Sequence, residues 1–170
     1  MKNNRLWQNL RSHLLRNPYR QHFTTQNMQL LSEKIAAAEQ GHRGEIRVVV
    51  ESQLPVSLVL TGISTRQRAI SYFADLRVWD TEENSGILLY LILAERKIEI
   101  VADRGIAKLV EQAEWNKICQ QLQNQLGADQ VLEGLSKAIT EFGTLLRQHY
   151  PISTTANNPN ELSNELIFIP

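Results

Sequence analysis

Two apolar runs, each long enough for one β-strand, flank a segment that predicts a helix. The first runs from Glu45 to Glu51 and is rich in β-branched residues, and the second, from Gly86 to Leu93, is almost wholly apolar. Between them, Ser64 and Gln67 have the spacing of a capping box at the start of a helix. Because a strand–helix–strand crossover is normally right-handed and leaves its strands parallel, this order predicts an α/β fold.

A third strand follows at once. After the short connection Ala94 to Arg96, the residues from Lys97 to Ala102 include an alternating series with Ile98 and Ile100 on one side. A connection this short joins antiparallel neighbours, so the second and third strands are predicted to form a hairpin.

This strand order brings three parts of the chain to one edge of the sheet. The start of the first strand, the start of the second and the end of the third all lie there. We therefore expect Glu45, the loop from Asp80 to Ser85, and Asp103 to come together.

Carboxylates dominate that edge. Nearby carboxylates repel one another unless a cation or a proton neutralises them, and oxygen ligands from several segments are what Ca²⁺ and Mg²⁺ require. The alternative is structural, because Asp, Asn, Ser and Gly are common turn residues and Asp103 would cap the helix that follows. No organic cofactor is expected. The predicted ligands of the metal site are Asp80, Glu82, Glu83, Asp103 and Glu45.

The remaining patterns divide the chain into three parts. Residues 1–23 carry basic residues and no acidic one, with Trp7, Leu10 and Leu14 at helical spacing, which predicts a basic amphipathic helix. Residues 24–151 hold the helices and strands of one domain, in which Leu54 to Gly62 is left as a loop or edge segment because of Pro55. Residues 152–170 are rich in Ser, Thr, Asn and Pro and predict a loose tail.

Composition limits the classes of partner and compartment. The formal net charge of zero argues against nucleic acid as a partner, because that binding depends on Lys and Arg neutralising phosphates. A single cysteine, Cys119, excludes an intramolecular disulfide and a cysteine-based zinc cluster. Without an apolar run of membrane-spanning length or a signal-peptide pattern, we expect a cytoplasmic protein.

The N-terminal helix leaves two alternatives. It either packs on the domain with its basic face in solvent, or docks on a membrane surface or an unidentified protein partner. In the second case the protein would be peripheral to the membrane.

Two segments of the chain resemble the TPM-domain family, and in particular an uncharacterised bacterial subgroup. They are Arg77 to Tyr90 (RVWDTEENSGILLY) and Ala94 to Ile106 (AERKIEIVADRGI). The resemblance implies a three-layer α/β/α domain with a small mixed central sheet and helices on both faces. The family's acidic loop would correspond to Asp80 to Gly86, and the segment after its hairpin to Asp103 and Gly105.

Members of this family differ in function. The thylakoid-lumen branch is described as an acid phosphatase and a calcium binder, and other members are accessory proteins of membrane receptors. The resemblance thus allows two hypotheses for this chain. One is a non-catalytic binding or assembly module that binds a divalent cation at the acidic loop, and the other is a cation-dependent phosphatase-like hydrolase.

Overall fold

The computed structural model describes residues 7–9, 18–152 and 161–170. Besides a 3₁₀ turn at Pro18–His22, these residues form six named helices and four strands. The helices are α1 (Thr25–Ala38), α2 (Val56–Thr61), α3 (Thr65–Asp75), α4 (Arg104–Leu109), α5 (Gln112–Gly127) and α6 (Val131–His149). The strands are β1 (Ile46–Glu51), β2 (Ile87–Ile92), β3 (Lys97–Ala102) and β4 (Ile167–Ile169).

The four strands form one mixed sheet in the order β3-β2-β1-β4. β1 and β2 are parallel, with Ile46 opposite Ile87, and β2 and β3 are antiparallel, with Ile87 opposite Ala102. The capping box predicted at the start of α3 is present, because Ser64 and Gln67 exchange side-chain and backbone hydrogen bonds. The crossover and the hairpin predicted from the sequence are therefore confirmed.

Helices cover both faces of the sheet. On one face, alternate residues of β1 and β2 such as Val48 and Leu89 join a large core with α1, α5 and α6. On the other face, Val49 and Leu88 pack in a smaller core that includes Ala69 of α3. Every residue of β1 and β2 is buried, as expected for parallel strands covered on both sides. This is the three-layer α/β/α fold that the sequence predicts.

The segment after β1 is a helix rather than the predicted loop or edge strand. Pro55 immediately precedes helix α2, where its fixed φ angle suits a helix start and its missing N–H costs no hydrogen bond. Helix α2 ends at Gly62, which has a left-handed φ of 77°. Proline at this position starts a helix rather than interrupting a strand.

The prediction of a loose tail over residues 152–170 is wrong for its last residues. Ile167–Ile169 pair with β1 as a fourth, parallel strand, and Ser52 donates a backbone hydrogen bond of 2.7 Å to the carbonyl of Ile169. Phe168 stacks on Phe23 with 5.1 Å between ring centroids. The apolar end of the chain is held because it covers the open side of β1 and packs on the core.

Most of the predicted N-terminal helix lies outside the described residues, since 1–6 and 10–17 are not described. Residues 7–9 are helical, and Asn9 is fully buried. Its amide accepts a hydrogen bond of 2.7 Å from the backbone N–H of Leu54 and donates one of 3.0 Å to the carboxylate of Glu95. Asn9 therefore fixes this turn against the carboxyl ends of β1 and β2.

Within the described ranges, no helix has both the length and the apolar character needed to cross a bilayer.

Replacing Asn9 tests this docking. Asn9→Ala removes two buried hydrogen bonds to distant parts of the chain, and we expect the free energy of unfolding to fall by about 1–3 kcal/mol. Urea denaturation followed by circular dichroism measures the loss. The neighbouring Gln8→Ala, at an exposed position, is the control and should change stability little. Equal effects of the two substitutions would contradict the docking.

Candidate functional site at the amino-terminal edge of the sheet

Backbone hydrogen bonds bring the three predicted segments side by side. Ile87 donates to the carbonyl of Glu45 at 2.8 Å, and Asp103 donates to the carbonyl of Gly86 at 2.8 Å. Glu45, Gly86 and Asp103 therefore lie side by side, each next to the end of one of three neighbouring strands. Because neighbouring strands lie about 4.8 Å apart, the whole edge is about 10 Å wide.

The acidic loop is held by its own polar residues. Ser85 donates its backbone N–H to the hydroxyl of Thr81 at 3.0 Å and its own hydroxyl to the carbonyl of Arg43, also at 3.0 Å. Asn84 has a positive φ of 52°, a conformation that asparagine tolerates better than most residues. At Gly86 a Cβ would lie 2.0 Å from the carbonyl oxygen of Val78, so only glycine fits. The loop conformation is therefore determined by these residues.

Asp103 is one of two carboxylates of this edge, with Glu45, that are buried and have one oxygen without a hydrogen-bond partner among the described residues. It is 8% exposed, and its Oδ1 accepts a hydrogen bond of 2.7 Å from the backbone N–H of Arg104, which confirms the cap expected at the start of α4. Its Oδ2 is buried and has no hydrogen-bond partner within the part of the chain that the structure describes. A buried carboxylate oxygen without a partner is costly, so it indicates a place for a further group.

The surroundings of Asp103 supply further oxygens. A Cβ on Gly105 would lie 2.6 Å from the carbonyl oxygen of Glu83, 2.5 Å from that of Asn84 and 2.8 Å from the hydroxyl of Tyr150. The Asn84 carbonyl already accepts the backbone N–H of Gly105 at 3.0 Å. Because Gly105 has no side chain, the acidic loop, the start of α4 and Tyr150 approach one another closely.

Tyr150 was not anticipated from the sequence. Burial is the main cause that raises the pKa of its hydroxyl, and the carboxylates of Glu83 and Asp103 raise it further. The hydroxyl therefore stays protonated and neutral at ordinary pH. Its backbone carbonyl accepts a hydrogen bond of 3.0 Å from Arg43, which anchors the end of α6 to this edge.

Three of the predicted ligands have other contacts or stay in solvent. Glu83 forms an ion pair with Arg43 at 3.1 Å, and Asp80 forms one with Arg77 at 3.0 Å on the surface. Glu82 is exposed. Within the described ranges, no three His, Cys, Asp or Glu side chains are grouped so that they could hold a metal ion. The five predicted residues thus share an edge but do not form one cage of carboxylates.

Glu45 contacts the C-terminal segment instead. It is 2% exposed, and its Oε1 accepts the backbone N–H of Glu161 at 3.0 Å. The carboxylate of Glu161 in turn accepts the backbone N–H of Glu82 at 3.1 Å. Burial is the main cause that raises the pKa of Glu45. Glu161 is thus a member of the edge that the sequence analysis placed in a loose tail.

A partly buried group of charges lies beside Glu45. Burial raises the pKa of Glu39 to about 8, although its Oε1 accepts the backbone N–H of Ile46 at 2.8 Å. The neighbouring charge of Glu45 raises this pKa, whereas the positive charge of Arg47 lowers it. Arg47 is 6% exposed, and burial lowers its pKa. Protonation of Glu39 therefore relieves a local excess of negative charge.

Comparison with known proteins agrees with this architecture. The family model of the TPM domain matches residues 17–145. The NMR structure of BA42 protein from the psychrophilic bacterium Bizionia argentinensis is similar to this chain at 25% sequence identity, with a TM-score of 0.74. That match covers 85% of this chain and 94% of the BA42 chain. No curated protein matches.

Gly105 provides a steric test of the edge. In Gly105→Ala the added methyl group would collide with two backbone carbonyls that cannot move independently, so we expect a loss of about 1–3 kcal/mol in the free energy of unfolding. Thermal or urea unfolding measures it. Gly127→Ala is the matched control, because a Cβ there meets nothing within 4 Å. A Gly105→Ala protein as stable as the Gly127→Ala protein would refute the close approach.

The raised pKa of Glu39 predicts a pH dependence of stability. From its ordinary pKa of 4.5 to about 8, the folded state holds a proton that the unfolded chain has released. The free energy of unfolding should therefore fall as the pH rises through this interval. Glu39→Gln stays neutral and keeps an oxygen for Ile46, so it should be more stable than the unchanged protein near pH 9 but not near pH 4.5.

Urea midpoints measured across this pH range test the sign. Glu33→Gln, an exposed substitution on the same helix, should leave the pH profile unchanged. A profile of Glu39→Gln that parallels that of the unchanged protein would show that Glu39 titrates normally.

Proposed function

This chain belongs to the TPM-domain family, and on that premise we propose that it is a non-catalytic binding module that takes a divalent cation, Ca²⁺ or Mg²⁺, at the amino-terminal edge of its sheet. The observation that carries the proposal is the buried, unpartnered Oδ2 of Asp103. A cation beside this oxygen would supply the charge that the described protein groups do not.

The chemistry of the neighbouring groups supports a hard cation. Asp103, the main-chain carbonyl of Glu83 and the hydroxyl of Tyr150 would all offer oxygen, and none offers sulfur or imidazole nitrogen. Ca²⁺ accepts such mixed sets of carboxylate, carbonyl and water oxygens, and Mg²⁺ keeps several waters and needs only one or two carboxylates. A site with few carboxylates is therefore compatible with either ion.

The remaining acidic residues support binding rather than catalysis. Glu45 holds the backbone of the C-terminal segment, and Asp80 pairs with Arg77 on the surface. A hydrolase needs a second group that activates water or protonates a leaving group within hydrogen-bond reach. The carboxylate nearest in the loop, Glu83, is already paired with Arg43.

One observation favours the alternative of a cation-dependent phosphatase-like hydrolase. Two guanidinium groups border the edge: Arg43 beside Glu83, and the exposed Arg104, whose Nε donates to the side chain of Asn84 at 2.9 Å. Arginine pairs well with phosphate oxygens, and a bound cation would activate water for attack on a phosphate ester. Unlike the main proposal, this alternative requires that the protein catalyse the hydrolysis of a phosphate ester.

Replacing Asp103 tests cation binding. Ca²⁺ or Mg²⁺ should release or absorb heat in a calorimetric titration and raise the melting temperature of the unchanged protein, since a ligand of the folded state stabilises it. Asp103→Asn keeps a good helix cap but loses the charge, and we expect its affinity to fall by about tenfold or more. Asp75→Asn, at the exposed end of α3, is the matched control.

The outcomes separate the hypotheses. No heat and no stabilisation with Ca²⁺, Mg²⁺ or Mn²⁺ would refute both the cation site and the cation-dependent hydrolase. Binding without hydrolysis of p-nitrophenyl phosphate supports the binding module. Hydrolysis that requires the cation and is lost in Asp103→Asn would refute the non-catalytic module and support the phosphatase-like hydrolase.

A further inference from the structure

The end of the molecule opposite the acidic edge exposes apolar side chains next to basic ones. Trp7 is 65% exposed, and in helix α2 Val56 and Leu60 are 38% and 71% exposed. Helix α2 has the sequence VSLVLT and carries no charged residue. Exposed apolar side chains on an uncharged helix are typical of an interaction surface.

Asn9 places Trp7 and α2 at the same end of the molecule. Its side chain is hydrogen-bonded to the backbone of Leu54, two residues before Val56, and Trp7 is in the same helical turn as Asn9. Both groups therefore lie beyond the carboxyl end of β1. We call Trp7, Val56 and Leu60 the apolar patch.

Basic residues of the described chain lie at this same end. The exposed Arg96 is in the turn between β2 and β3, and the exposed Lys97 begins β3; both are tied to this end because the adjacent Glu95 accepts a hydrogen bond from Asn9. Lys97 pairs with Glu95 at 3.1 Å but remains half exposed. In the sequence, no acidic residue precedes Glu33, so the segment that contains Trp7 and Asn9 has a net positive charge. Its basic residues are Lys2, Arg5, Arg11, Arg16 and Arg20.

We propose that this end of the molecule docks on an anionic phospholipid bilayer, with the apolar patch at the level of the headgroups and the basic residues against lipid phosphates. Charge complementarity identifies the occupant, because a basic segment with a tryptophan and aliphatic neighbours matches an anionic interface. Nucleic acid would also attract the basic residues, but Trp7 is the one aromatic member of the apolar patch, and the aliphatic Val56 and Leu60 offer bases no stacking surface.

Docking of this kind is peripheral. Tryptophan prefers the boundary between water and hydrocarbon because its ring is largely apolar and its N–H is polar. Helix α2 has only six residues and would lie in the interface rather than span it. The proposal combines the two alternatives for the N-terminal segment: residues 7–9 pack on the domain through Asn9, and the protein docks on a membrane surface at this end.

Co-sedimentation with vesicles tests the proposal on the full chain. The protein should pellet with vesicles of mixed phosphatidylcholine and phosphatidylglycerol at low salt, and much less with pure phosphatidylcholine or at high salt. The partition coefficient should fall about tenfold in Trp7→Ala and by several-fold in Leu60→Ser, because each removes apolar area from the interface.

Trp79→Ala is the matched control. Trp79 is 49% exposed but follows α3, next to the acidic loop at the other end of the molecule, so its loss should leave partition unchanged. A blue shift of tryptophan fluorescence on vesicle binding should likewise persist in Trp79→Ala and vanish in Trp7→Ala.

Three results would overturn the proposal. They are failure to pellet with anionic vesicles at low salt, an equal loss of partition in Trp79→Ala and Trp7→Ala, and binding to duplex DNA without binding to vesicles. Normal unfolding curves of Leu60→Ser, whose side chain is mostly in solvent, exclude misfolding as a cause of weaker binding.

Discussion

The register of β1, β2 and β3 is the constraint on which the rest of the structure depends. Ile46, Ile87 and Ala102 lie opposite one another in neighbouring strands, and the strands are too apolar to slip without exposing buried residues or burying polar ones. This register aligns Glu45, Gly86 and Asp103 at one edge. It also sends the crossover through α3 and sets α2 and the β2–β3 turn at the opposite end.

The neutral total charge of the chain conceals two ends of different character. At the amino-terminal edge, buried carboxylates are stabilised by backbone N–H groups, as Asp103 is by Arg104 and Glu45 by Glu161. At the other end, Asn9 and Glu95 close the carboxyl ends of the parallel strands, where open α/β sheets commonly bind ligands. This difference in character supports the two proposals, cation binding at the acidic edge and bilayer docking at the basic end.

Much of the fold could be predicted because its signals are local. The apolar runs of β1 and β2, the alternation in β3 and the capping box at Ser64 each depend on residues within a few positions of one another. The shared edge of Glu45 and Asp103 could also be predicted, because the directions of the strands alone determine which of their ends lie side by side. The TPM family is confirmed by the family model that matches residues 17–145, and the three-layer fold by the helices packed on both faces of the sheet.

The rest depends on contacts that local patterns do not encode. Tyr150 reaches the edge only because α6 ends beside it, and Glu161 only because the last three apolar residues pair with β1. Asp80 pairs with Arg77, three residues earlier, an ion pair that the sequence permits but does not require. The edge is therefore predictable from the sequence, whereas the contacts of each carboxylate within it are not.

Paramagnetic Mn²⁺ tests the central claim most directly, because it occupies sites for Mg²⁺ or Ca²⁺ and broadens the NMR signals of nearby nuclei. We predict that, at low Mn²⁺ concentration, the backbone amide signals of Asn84, Asp103 and Gly105 broaden first, and that excess Ca²⁺ or Mg²⁺ restores them. Broadening that begins elsewhere, such as around Glu95, or that is uniform over the surface carboxylates, would contradict a cation site at Asp103.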